Sequence, residues 1–272
     1  SRPLWDDDWV FPIEPGINAA TVYIRAATSN SLQLPIRLYD QDSFFRQDMF
    51  NMLFWGGFYG VMLIMALYSF LNGMVIWDWL YIYYCAYVLS AALTVASLNG
   101  HGFAYLWPEV PEINAFSLSV FPCFMICFGI AFSMEYLDIV RQRLRMRYAG
   151  YLFIGIALLT AISSILLQRD FSFWAAVVTV MFTVTLMVFG ASAVRRQHHL
   201  GWYFLIGWSV FLVGAGMFAL NVLGILPFNV VTVHSKEIGS VFEIIMLSLG
   251  MSAIYHHEKE ERTRINGAID VM

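Results

Sequence analysis

A carboxyl group inside an apolar run is the first residue in this chain that could do chemistry. Glu243 lies within 238–255, a stretch otherwise made of apolar, aromatic and small residues. A charged side chain in hydrocarbon costs about 3 kcal/mol or more and is rare without a partner, so Glu243 is expected to face the interior of a helix bundle. Asn221, in the outer part of the preceding apolar segment, has comparable depth and is the expected hydrogen-bond partner. The functional reading of Glu243 is a ligand-sensing or switch contact. The bland reading, a structural bond between helices, is the commoner one.

The other reactive residue types carry less. Cys123 and Cys127 are four apart and share a helix face, but no third or fourth ligand lies nearby, so neither a metal site nor any cofactor is expected. His198-His199 and His256-His257 are adjacent pairs, and neighbours on a helix point about 100° apart, which suits no two-ligand site. His101, between Gly100 and Gly102 and followed by Trp107, makes a loop that could meet a ligand. Pro122, in the middle of an apolar segment, removes one helical hydrogen bond and is the candidate hinge. Gly56 and Gly60 form a GxxxG, and Ser248 and Ser252 a second pair of small residues; both spacings allow close helix packing.

These residues need a membrane to hold them. The chain of 272 residues is 60% hydrophobic and only 12% charged, whereas a soluble domain carries about twice that share of charge. After Asp48, seven apolar segments follow at 49–71, 79–98, 113–137, 148–167, 173–194, 202–224 and 238–255, each near the roughly 20 residues that cross a bilayer. Arg141, Arg143, Arg145 and Arg147 follow the third segment, Arg195 and Arg196 the fifth, and Lys259, Arg262 and Arg264 the seventh; the alternate loops hold only Arg169 and Lys236. The positive-inside rule puts the clusters in the cytoplasm, so seven crossings leave the N-terminus outside and the tail inside. Trp77, Trp79, Trp107, Trp174 and Trp202 sit near segment ends, at headgroup level.

The two ends differ from this pattern. Residues 18–26 and 31–39 alternate in polarity with period two, the mark of half-buried strands, joined by Thr28-Ser29-Asn30. Two strands are not stable alone. Residues 1–46 are therefore expected to be the end of a larger extracytoplasmic β domain, and the start at Ser1-Arg2-Pro3 reads as a fragment of a longer protein. Residues 256–272 read as a continued cytoplasmic helix, with Glu258 and Glu260 each four before an arginine. A dimer through this exit helix and a solvated helix end are both open. The fold class expected is an all-α seven-helix transmembrane bundle at 47–255, with a short N-terminal β segment and a C-terminal helix.

Function classes separate on the same residues. A retinal photoreceptor needs a lysine deep in a helix, and Lys236 and Lys259 are both near ends. A small-molecule or lipid transporter, or a membrane-embedded enzyme, needs several intramembrane polar groups, and here the acids other than Glu243 stay near segment ends. A receptor needs an outer ligand-gathering part, a packed bundle and an inner exit helix. The scattered cations give no nucleic-acid groove.

Several stretches carry a family likeness. Tyr23-Ile24-Arg25 and Leu34-Pro35-Ile36-Arg37-Leu38-Tyr39-Asp40, then Gly56-Gly57-Phe58-Tyr59-Gly60 to Ala66-Leu67-Tyr68, are followed by Tyr81-Ile82-Tyr83-Tyr84 and by Gly100 through Leu106-Trp107-Pro108. Last come Ile238-Gly239-Ser240-Val241-Phe242-Glu243 and Leu247-Ser248-Leu249. In order and spacing they resemble the bacterial seven-transmembrane receptors with diverse intracellular signalling modules (7TMR-DISM). The resemblance implies a bacterial inner-membrane sensor. Its periplasmic β-sandwich would bind a carbohydrate or related small molecule, and its exit helix would lead to a diguanylate cyclase, histidine kinase or similar output, with no catalytic site in the bundle. The expected partners are membrane lipids, a periplasmic ligand and a second copy of the chain.

Overall fold

The structure is a computed structural model and describes residues 11, 38–139, 144–167, 171–195, 200–222, 224–227 and 229–269. The two expected strands fall almost wholly outside these residues; Leu38 and Tyr39, at their end, are not in a strand. The chain divides into two compact units, Ser1–Gly56 and Gly57–Met272.

Seven long helices account for most of the described chain: α1 (Gln41–Ile76), α2 (Trp79–Leu98), α3 (Pro111–Tyr136), α4 (Leu144–Leu167), α5 (Ser172–Val194), α6 (Leu200–Val222) and α7 (Ser235–Ile269). Each contains a stretch long and apolar enough to cross a membrane. The seven expected segments are thus seven helices. Two of them run further than hydropathy alone indicates: α1 begins eight residues earlier than expected, and α7 continues unbroken to Ile269, as the polar tail's i, i+4 pairs led one to expect.

Local chemistry sets the helix ends. Asp40 precedes α1, and its carboxyl is held below the usual carboxylate range, first by a hydrogen bond from Ser43. The turn between α1 and α2 is two residues long, with Trp77 in the left-handed region (φ 56°) and Asp78 capping α2 by accepting from the Leu80 amide at 2.9 Å. Pro111 occupies the first turn of α3, where a missing amide costs nothing. Between α2 and α3 lies a π-helical turn, Gly102–Leu106.

α3 is central, packing against α2, α4 and α5, while α6 packs against α5 and α7. Within the larger unit, α1 buries Phe58, Met62, Ala66, Ser69 and Gly73, spaced four or three apart as one stripe of a helix requires. Its other side, including Leu63, Ile64, Leu67 and Leu71, is exposed as lipid-facing surface. At Gly73 an added Cβ would stand 2.8 Å from Ile82 and 3.2 Å from Tyr81, so α1 and α2 meet closely beside their tight turn.

Candidate functional site

Glu243 is buried, 1% exposed, and its Oε1 accepts a hydrogen bond from the Tyr87 hydroxyl at 2.9 Å. One turn away on α2, the Tyr84 hydroxyl donates to the Ile244 carbonyl at 2.6 Å. That carbonyl has two lone pairs and can accept from tyrosine as well as from its own helix. Two tyrosines three apart on α2 therefore grip two consecutive residues of α7. Both rings are fully or almost fully buried, so the apolar body of each fills the core while its tip serves a polar group.

Around this grip the aromatic side chains form a circuit that leaves α2 at Tyr84 and returns to it at Tyr87. Ring centroids run from Tyr84 to Phe132 (5.3 Å), Phe132 to Tyr136 (5.3 Å), Tyr136 to Phe204 (5.9 Å), Phe204 to Trp208 (6.2 Å) and Trp208 back to Tyr87 (6.5 Å). The circuit joins α2, α3 and α6. Phe182 of α5 meets Trp208 edge-on at 5.6 Å. The indole N–H of Trp208 is buried and has no hydrogen-bond partner among the described residues. A buried indole N–H normally has one, so the Trp208 N–H is a departure from the usual pattern.

Glycines bring α7 against α6. An added Cβ on Gly207 would lie 3.4 Å from the Glu243 carbonyl oxygen and 3.5 Å from its Cα. One on Gly214 would strike the Ser235 carbonyl group, and one on Gly239 would come within 3.1 Å of the Phe211 Cα. Near the tail end of the span, Gly250 lies against the Tyr136 ring and Tyr203. The two helices thus touch backbone to backbone.

This geometry corrects the expected partner of Glu243. Asn221 does not meet it; its amide donates to the Pro227 carbonyl at 3.2 Å and to Thr232 Oγ1 at 3.3 Å. Antiparallel packing sets Glu243 beside Gly207, and Asn221 lies fourteen residues further along α6, about 21 Å at 1.5 Å per residue. Glu243 is also deeper than hydropathy suggested, the ninth residue of a span beginning at Ser235.

His101 is not an open loop residue. It is buried, bonded to the Tyr59 hydroxyl of α1 through Nδ1 at 2.8 Å and in ring contact with Tyr59 and Tyr105. Trp107 is half-buried over Gly102 and its ring is tilted 36° against Phe121, with centroids 5.8 Å apart. Both candidates tie the α2–α3 connection to neighbouring helices. α3 continues through Pro122 as one helix. Among the described residues, an added Cβ at Gly56 or Gly60 would meet nothing within 4 Å. Ser248 is buried and Ser252 half-buried on α7. Cys123 and Cys127 are buried free thiols, and Cys127 points its thiol at the Ile154 carbonyl, 3.9 Å away.

Residues 51–253 match the family model described as 7TM diverse intracellular signalling. The chain belongs to this family. It is a multi-pass membrane signalling receptor, and the matched stretch ends four turns before α7 does. No curated protein and no solved structure matches the chain. In this receptor the tyrosine grip falls on the one helix that runs from the bundle into the polar tail. Tyr84, Tyr87, Trp208, Gly207 and Gly214 were missed from sequence. The available signal was the tyrosine-rich stretch 81–87 and the seven-residue spacing of the two glycines.

Proposed function

We propose that the receptor passes a signal from an extracytoplasmic ligand, a carbohydrate or related small molecule, to a cytoplasmic output module through movement of α7. The N-terminus lies outside the bacterial inner membrane and the tail inside. The output module, a diguanylate cyclase or a histidine kinase, follows the exit helix, which pairs with that of a second copy.

The observation that carries this reading is the Tyr87–Glu243 bond, with the Trp208 ring 6.5 Å from that of Tyr87. Glu243 is held by α2, while the neighbouring helix α6 offers the buried Trp208 N–H without a partner. A small turn of α7 would exchange one donor for the other. One bond would replace another, so the two arrangements would differ by no more than about 1 kcal/mol from this exchange, a gap that a ligand preferring one state can overcome. Because α7 is one helix from Ser235 to Ile269, a turn at Glu243 carries to the tail.

The test uses the full-length protein in nanodiscs, with spin labels on the tail and output activity measured in parallel. E243Q and E243A are expected to alter the distribution of tail distances and the basal output, and W208F to restrict the protein to the Tyr87-bonded arrangement. Unchanged distances, output and stability in all three variants would sink the proposal. Labelling of the two termini from opposite sides of sealed vesicles tests the orientation.

A further inference from the structure

The connection between α6 and α7 has the polarity of a membrane-inserted element. From Gly201 to Ser235 the chain carries no Asp, Glu, Lys or Arg, and the thirteen residues 222–234 are mostly Val, Leu, Ile, Pro and Phe. The connections that helix succession places at the same end of the bundle are different: 99–110 includes Glu109, and 168–171 includes Arg169 and Asp170.

The structure turns this composition outward. Ile225, Val230 and Val231 are 67%, 51% and 58% exposed, while Thr232 and Asn221 are buried at 5% and 6%. A loop in water arranges itself the other way, with apolar side chains inward. The polar groups of this hairpin serve one another. Thr232 Oγ1 donates to the Pro227 carbonyl at 2.7 Å and accepts from the Asn229 amide at 3.1 Å, and Asn229 Oδ1 accepts from the Thr232 amide at 2.9 Å. The Asn221 amide adds its two bonds to Pro227 and Thr232.

The backbone is closed in the same manner. Gly224, in the left-handed region at φ 74°, lets the amides of Gly224 and Ile225 return to the Asn221 and Leu220 carbonyls at 2.9 Å each. The Val233 and His234 amides return to the Asn229 and Val230 carbonyls. Such internal satisfaction is what hydrocarbon demands and water does not. The flanking spans carry exposed Leu220 and Ile238 at their adjoining ends, so the apolar surface continues the lipid-facing surface of α6 and α7.

We infer that residues 222–234 form an interfacial hairpin whose Ile225, Val230 and Val231 side chains are seated in the lipid of the adjoining leaflet. The partner is the acyl-chain edge of the bilayer. The hairpin thereby anchors the start of α7 at a fixed depth, with Lys236 half-exposed and its ammonium 4.1 Å from the Phe218 ring centroid just beyond it.

The test places an environment-sensitive fluorophore on V231C, and separately on I225C, in the full chain reconstituted into phosphatidylcholine–phosphatidylglycerol vesicles. E109C serves as the water-exposed reference at the same end. Unsubstituted protein controls for labelling of the three buried native cysteines. The expected result is blue-shifted emission at 225 and 231, mostly lost when the lipids carry acyl-chain bromines and insensitive to aqueous iodide, with the opposite pattern at 109. Quenching by iodide at 225 and 231 would overturn the inference, because the hairpin would then stand in water. Protection from both quenchers would also overturn it, because another part of this chain or a second copy would then cover the hairpin.

Discussion

The two sides of α7 are built on different principles. Toward α6 the contact is steric: Gly207, Gly214 and Gly239 bring the backbones together, leaving room for no side chain at Gly214. Toward α2 the contact is polar: two tyrosine hydroxyls reach a carboxyl group and a backbone carbonyl across the core. A steric contact of this kind has one good arrangement, since packed interiors tolerate neither gaps nor overlap. A hydrogen bond can be broken and remade with a different donor, the part proposed above for the buried Trp208 N–H. The difference teaches which side holds position and which side can release.

Substitutions can break or sharpen that contrast. The largest effect is expected from Gly214→Leu, whose side chain would overlap the Ser235 backbone; overpacking there should cost about 3 kcal/mol. Reversible unfolding in bicelles measures it, and wild-type stability in this variant would mean that α6 and α7 are not held at backbone contact. Next comes Glu243→Ala, which strands the buried Tyr87 hydroxyl at a cost of about 2 kcal/mol, whereas Glu243→Gln keeps an acceptor and should lose less than about 1 kcal/mol. The gap between the two separates hydrogen bonding from packing.

Tyr84→Phe should be milder, about 1 kcal/mol, because the Ile244 carbonyl keeps its helical bond. Tyr87→Phe combined with Glu243→Ala forms a double-mutant cycle, and a coupling energy near zero would show that the pair is not a working contact. Gly60→Ala should change stability by no more than about 0.5 kcal/mol, since its Cβ enters open space. A loss of dimer without loss of stability in that variant would make the GxxxG an interface between copies.

Much of the architecture was legible in the residues. Segment length, hydropathy and loop arginines read out seven spans, and the i, i+4 charge pairs of 258–264 read out a helix that continues beyond the membrane. Glu243 stood out because a carboxyl group in hydrocarbon needs a reason. Its partner did not stand out. Asn221 has a comparable depth by hydropathy, but hydropathy fixes only the span, and the register is set by where glycines let two helices meet.

The same limit applies at Gly56 and Gly60. Their spacing permits close approach but does not supply a neighbour. His101 and Trp107 likewise read as loop residues because a one-dimensional pattern does not show that a π-helical turn folds them back onto α1 and α3.

By itself, then, the sequence determined what must lie in lipid and where the chain must cross, because the cost of wetting apolar residues or burying charged ones is paid residue by residue along the chain. Only the tertiary structure decided that Tyr87 meets Glu243, that α6 and α7 touch through Gly207, Gly214 and Gly239, and that Ile225, Val230 and Val231 between those helices are exposed. Those outcomes depend on helix rotation and register, which many side chains set jointly and no local stretch encodes.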